Sequence, residues 1–256
     1  MRTLLNTLIL AALAVPSMAM AADAAPASPH TFTSNVGLVS NYLYRGISQT
    51  GAGPAIQGGF DYAHSSGFYA GVWGSSISWL SDAGVASTAS VELDTYLGYK
   101  GTAGDVAYDV GFLRYNYPGT YVVGAVKGDT DEIYGAVTYS IVTAKYSHSL
   151  GDTFGVSNAQ GTNYFDLSAN YALPDTGVTL GAHYGKQTFK GSTAAAFALA
   201  GNSATYSDYK LSATKDFSGY VVGLAYSSTN ATPFYTSPQL KQLGKGTAVL
   251  SLTRSF

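Results

Sequence analysis

The chain has no cysteine, and only 11% of its 256 residues are charged. The first absence excludes a disulfide framework, so stability must come from size, packing or a surrounding membrane. The second sits well below the roughly 25% of soluble domains and is awkward for a chain that must solvate its whole exterior. There is no block of Lys or Arg, and the net charge is −2, which excludes a nucleic-acid surface. Beyond the first 21 residues no segment approaches the ~18 consecutive apolar residues of a spanning helix. A mature chain that lives in a membrane must therefore cross it as strands.

The N-terminus carries a different signal. Arg2 precedes an apolar stretch from Leu4 to Val15, interrupted only by Asn6 and Thr7, and Pro16 and Ser17 break it before Ala19-Met20-Ala21. A positive start, a short apolar run and a small-residue exit predict a secretory signal over 1–21, cleaved on export. Loss of Arg2 leaves 12 of the 13 basic residues against 15 acidic ones, a net charge of −3. A short periplasmic tail over 22–31 and a single barrel over 32–256 follow from the pattern of the remainder.

That pattern has period two. In Val91 to Lys100 the odd positions are Val, Leu, Thr, Leu and Tyr, and the even ones Glu, Asp, Tyr, Gly and Lys. A strand with lipid outside and water inside requires this alternation. It recurs with Val36, Leu38, Tyr42 and Tyr44 opposite Asn35, Gly37, Asn41 and Arg45, and with Val178, Leu180, Ala182 and Tyr184 opposite Thr179, Gly181, His183 and Gly185. Twelve such runs are present, which predicts an all-β, up-and-down antiparallel transmembrane barrel. Short links alternate with long ones: Ser65-Ser66, Gly101 to Gly104, Ser140-Ile141, Ala172 to Gly177 and Ser218-Gly219 against loops such as Ser76 to Ala89 and Gln187 to Thr205. Outer-membrane barrels have short periplasmic turns and long external loops. Ser140-Ile141 is the least expected turn, because neither residue favours positive φ. With both termini periplasmic, Phe32, Tyr62, Phe68, Tyr99, Tyr139, Tyr171 and Phe256 fall at one level on the outward parity, as an interfacial aromatic girdle. Tyr44 falls on the opposite rim. Thr193 to Gly201, rich in alanine, predicts a helical turn or two that caps the external mouth or folds into it.

Ser40-Asn41-Tyr42-Leu43-Tyr44-Arg45-Gly46-Ile47-Ser48 is similar to the N-terminal signature of the TorF-family porins. Further echoes are Gly67 to Ser75, Glu92-Leu93-Asp94, Tyr115 to Gly119, Glu132-Ile133-Tyr134, His183-Tyr184-Gly185 and Ser207 to Lys210. The resemblance covers roughly Thr33 to Phe256 and implies a barrel and a pore, with no substrate attached. The chain end, with Leu250, Leu252 and Phe256 in register, also looks like the signal read by the outer-membrane barrel assembly machinery, Arg254 being the one departure.

Inward-facing charge is what matters in a pore. The parity places Arg45, Asp61, Glu92, Asp94, Lys100, Asp109, Lys145, Asp166, His183 and Lys210 on the lumen side. Both signs are present, which predicts a hydrated, cross-paired lumen. Glu92 and Asp94 lie about 7 Å apart on one face, but lining the lumen explains them better than glycosidase-like acid and base. An outward Ser-His phospholipase site needs serine two residues after histidine. His148 is followed by Ser149, and His64 with Ser66 falls in a turn at the wrong end. No catalytic residue, metal site or cofactor is expected. The reading is a Gram-negative outer-membrane, porin-like channel for small hydrophilic solutes or ions, surrounded by lipid. A non-conducting structural or adhesive barrel, a phospholipase-like enzyme and a soluble binder with inverted faces remain the alternatives.

Overall fold

The computed structural model describes residues 28–201, 203–231, 235–238 and 241–256. The expected signal segment, 1–21, lies outside the described residues, as does the expected tail up to residue 27. The first half of the chain forms β1 (His30–Val39), the short pair β2 (Leu43–Tyr44) and β3 (Ile47–Ser48), then β4 (Ala55–His64), β5 (Phe68–Ser76), the single-turn α1 (Trp79–Asp82), β6 (Val91–Ala103) and β7 (Val106–Asn116). The second half adds β8 (Thr130–Tyr139), β9 (Val142–Ser149), β10 (Asn163–Ala172), β11 (Val178–Thr188), α2 (Gly191–Leu199), β12 (Tyr206–Phe217), β13 (Tyr220–Thr229) and β14 (Thr247–Ser255).

Twelve of these strands close an antiparallel barrel in sequence order from β4 to β14, with β1 joining β14 to β4. β2 and β3 stand apart as a separate two-stranded hairpin. Closure removes every open sheet edge, so each backbone group in the wall finds a partner without water.

The faces follow the alternation. Leu38, Ile56, Phe60, Leu97, Val110, Val137, Leu211, Leu224 and Leu250 are all exposed on the outside. The other parity is the interior, because its side chains bond between strands that are not neighbours. Tyr69 of β5 donates to Asp109 of β7 at 2.6 Å and also meets Tyr134 of β8. Two glycines make room for this layer: a Cβ on Gly98 would strike the ring of Tyr69, and one on Gly111 the ring of Tyr134. An exposed apolar exterior around a polar interior fits lipid outside and water within. Leu97, 59% exposed at mid-strand, gives a direct check. Leu97→Arg should cost ~2–4 kcal/mol in a bilayer, while Tyr96→Lys on the inner face should be tolerated. Folding titrations into lipid vesicles that ranked the two in the opposite order would reverse the faces.

Two expectations change, and a third, the Ser140-Ile141 turn, is met. The hairpin between β6 and β7 turns at Gly104-Asp105, with Gly104 at φ +60°, so β6 runs three residues further than the Gly101 to Gly104 link predicts. Ser140 adopts φ +53°, a left-handed conformation uncommon outside glycine, and this is how the Ser140-Ile141 turn closes without a glycine. The largest change is at the start. β1 ends at Val39, and the alternation that continues to Arg45 belongs to a loop that folds inward. Tyr42 is therefore buried rather than lipid-facing, and Tyr44 packs in the interior against Tyr115 and Phe154 instead of on the outer rim. Tyrosine satisfies either site, since its ring buries well and its hydroxyl needs a partner that lumen carboxylates supply.

Candidate lumen and its constriction

The hairpin β2–β3 carries Arg45 at its tip, with Arg45 at φ +47° and Gly46 at φ +78° making the reversal. A Cβ on Gly46 would run into Thr229 and Asp208, so the turn needs glycine for space as well as for φ. Asn41 and Ser48 tie the base, Ser48 Oγ donating to Asn41 Oδ1 at 2.7 Å. Tyr42 Oη donates to Glu92 Oε1 at 2.8 Å, and Tyr206 Oη to the Arg45 carbonyl at 2.9 Å.

The guanidinium meets Glu132 in a two-oxygen contact, 2.7 and 3.0 Å from Nη2, and Nη1 donates to Gln187 Oε1 at 2.8 Å. The side chains of Arg45 and Glu132 are only 7% and 1% exposed. The rings of Tyr44 and Tyr164 lie on the cation at 4.8 and 4.4 Å. Four groups from four places in the chain thus hold one charge inside the barrel at the long-loop end, a geometry suited to arginine's planar fork and not to lysine. Around the hairpin an apolar cluster of Tyr42, Ala55, Ile77, Leu80, Tyr115 and Tyr117 fills this end.

Below lies a second layer. Tyr96 donates to Asp61, Lys145 Nζ sits 4.0 Å from the Tyr134 ring, and Lys100 Nζ 5.5 Å from that of Tyr69. Beside it His183 bridges two carboxylates, Nδ1 to Asp166 Oδ2 at 3.0 Å and Nε2 to Asp208 Oδ1 at 2.8 Å, while Tyr164 donates to Asp208 at 2.9 Å. Lys100 and Lys210 remain exposed on the inner parity, so this part of the interior meets solvent. Asp94 is buried, with Oδ1 unpartnered.

The ten sequence-predicted lumen residues therefore all lie on the inner side, Arg45 from the loop rather than from a strand. Arg45 pairs with Glu132. Glu132 and Asp208, missing from the predicted set, share the parity of Tyr134 and Lys210 and were readable on that ground. Tyr164 and Gln187 likewise share the parity of Asp166 and His183, whereas Tyr42 carried no such signal because it lies in the loop.

At the short-turn end, Phe68, Tyr139, Tyr171 and Phe256 are exposed on the outer parity, with Tyr62 and Tyr99 partly covered by Phe32 and Phe68. Arg254 lies among them. Its guanidinium covers the Tyr220 ring at 4.7 Å and reaches the Ser218 carbonyl at 2.9 Å, so a charged residue on the outer face bends its head toward the turn. α2 is helical as expected but buries none of its residues, and Thr193 donates to the Ser157 carbonyl of the adjoining loop at 2.5 Å. It rests at the mouth, and the hairpin is what enters.

Among the described residues, the two serine–histidine pairs are not arranged as an esterase. Ser168 Oγ is 3.1 Å from His183 Nδ1 but gives its proton to Asp166 at 2.6 Å. His64 and Ser66 form an exposed pair in a short turn. Among the described residues no group of three or more His, Asp or Glu side chains is placed to hold a metal ion.

Solved structures share the architecture. A membrane protein from a study of in-meso crystallization aligns over 88% of this chain and 83% of its own, with a TM-score of 0.50 and 9% identity. The KdgM porin, solved with disordered oligogalacturonate, aligns over 88% and 98% with a TM-score of 0.50 and 5% identity. OprD of Pseudomonas aeruginosa aligns over 88% and 66%, at 13% identity and a TM-score of 0.38. The likeness to the first two concerns the fold alone, a closed antiparallel barrel. No curated protein matches the sequence. A family model described as a bacterial protein of unknown function, Gcw_chp, matches residues 23–256, and the chain belongs to that family.

Proposed function

We propose that the chain is an outer-membrane channel for passive diffusion of small hydrophilic solutes or ions, narrowed at its external mouth by the inward-folded 40–54 loop. The observation that carries this reading is the combination of an apolar exterior with a polar interior that a single anchored hairpin crosses. Pore constrictions built from charged side chains work by size and field together, and here the Arg45–Glu132 pair is flanked by aromatic rings. The similarity of Ser40 to Ser48 to TorF-family porins adds support, although the matching family description does not carry that name. The remaining expectations belong to the same proposal: cleavage after Ala21, lipid contact through the Tyr62, Phe68, Tyr99, Tyr139, Tyr171 and Phe256 girdle, and recognition of Phe256 by the assembly machinery.

A liposome-swelling series tests it. The purified chain should admit small neutral solutes, with rates falling steeply as size increases and no strong preference for either charge sign, because the lumen pairs its charges. Swelling no faster than protein-free liposomes would favour the second reading, a non-conducting barrel. The apolar cluster packed around the hairpin is the observation on its side.

A further inference from the structure

Two of the four histidines meet at the short-turn end of the wall. His30, the first residue of β1, and His64, the last of β4, are direct partners in the antiparallel register. The Ser65 N–H donates to the Pro29 carbonyl at 2.8 Å, one step outside them. They therefore form a non-hydrogen-bonded pair, the kind whose side chains stand closest, with β-carbons about 4.5–5.5 Å apart. Both share the outward parity of Phe32 and Phe60, and neither is buried. Their ring centroids are 5.2 Å apart. Two imidazoles on one tetrahedral metal, with each nitrogen about 2.0–2.1 Å from it, have centroids about 5 Å apart.

Each ring also has a hydroxyl on Nδ1: Tyr62 Oη at 2.9 Å for His30 and Ser66 Oγ at 2.6 Å for His64. Neither Nε2 makes a hydrogen bond among the described residues. A hydroxyl that accepts from Nδ1–H holds the ring in the tautomer whose Nε2 lone pair is a ligand, as around metal-bound histidines generally. The Ser66 N–H also points at His64 Nδ1, at 3.2 Å, and His64 gives up that longer bond when it takes this tautomer. We propose that His30 and His64 form an open site for one divalent transition ion of the zinc and copper class. Imidazole suits these ions, whereas magnesium and calcium want oxygen ligands. Among the described residues no third His, Asp or Glu joins the pair, so water fills the remaining positions and the ion stays exchangeable, unlike that of a closed structural site. Bound there, it clasps the first residue of the wall to the end of β4 and stabilises the folded chain by mass action. The site owes nothing to the lumen, and conduction bears on it in neither direction.

Calorimetric titration of the tag-free, detergent-purified full chain with Zn²⁺ tests it, with excess Mg²⁺ present to occupy oxygen-ligand sites. One saturable Zn²⁺ site per chain is expected. His30→Gln and His64→Gln should each abolish it. His148→Gln, at the long-loop end of the wall, should leave it unchanged, and heat-modifiable migration checks that every variant is folded. Electron paramagnetic resonance of the wild type with Cu²⁺ needs no variant and should show two imidazole nitrogens on the ion. No saturable Zn²⁺ binding would overturn the proposal. So would binding that survives either histidine change or is lost in His148→Gln, or a Cu²⁺ spectrum with fewer than two nitrogen ligands.

Discussion

Glu132→Ala is expected to release the first loop from the barrel while leaving the barrel itself assembled. Glu132 is the counter-charge of an arginine that is almost fully buried, and its removal leaves the Arg45 cation among tyrosine rings with only Gln187 as a polar partner. Breaking a buried pair from one side typically costs about 3–5 kcal/mol, because the survivor is uncompensated. The wall strands do not depend on the pair, so the cost falls on the hairpin. Its other anchors include Tyr42 on Glu92, Tyr44 on Tyr115, Tyr206 on the Arg45 carbonyl and the Ser48 N–H on the Leu243 carbonyl, hydrogen bonds worth about 0.5–3 kcal/mol each. The loop should therefore open far more often than in the wild type. Proteolysis within 40–54 should become fast in Glu132→Ala, with the heat-modifiable band unchanged. Replacing both partners, Arg45→Met with Glu132→Leu, should recover much of the protection, since no charge is then stranded. Wild-type protease resistance in Glu132→Ala would mean that the ion pair does not hold the loop.

Removing Phe256 should nearly abolish assembled protein. The seam between β1 and β14 joins the first and last wall strands, and its register runs over only five residue pairs, Asn35 with Ser255 to Val39 with Ser251. Phe256 extends it by two backbone bonds, its N–H donating to the Ser34 carbonyl at 2.8 Å and its carbonyl accepting from Ser34 at 3.0 Å. Its ring is exposed on the outer face beneath the Arg254 guanidinium, 5.6 Å away. Deletion shortens the weakest seam and strips the end of the outward stripe. The expected result is loss of the heat-modifiable band and degradation in the periplasm. Phe256→Tyr, which keeps both backbone bonds and an interfacial ring, should assemble. Normal outer-membrane levels of the deletion would argue against a role for this residue.

The wall was legible because a barrel strand is constrained twice over, by lipid on one side and water on the other. That is why Leu97 and Tyr96 could be assigned to opposite faces from parity alone. The constriction was not legible for the same reason. Tyr42, Tyr44 and Arg45 keep the period-two spacing of β1 after the chain has left the wall, and nothing in that spacing marks the departure at Ser40. The only local sign is Gly46, whose positive φ turns the hairpin. Partners of the loop were hidden too, because Glu132 and Gln187 lie 87 and 142 residues away from Arg45. A lone helical stretch at Thr193 to Gly201 drew attention as a candidate plug, but its alanines offer the lumen nothing to bond, whereas the loop brings hydroxyls and a guanidinium.

Single-channel recording in planar bilayers tests the central claim most directly, comparing the full chain with one in which residues 41–53 are replaced by a short Gly-Ser link. The account predicts discrete, small openings for the full chain and a several-fold larger, quieter conductance once the hairpin is gone. Equal conductance in the two proteins would contradict the constriction, and the absence of channels in both would contradict the pore.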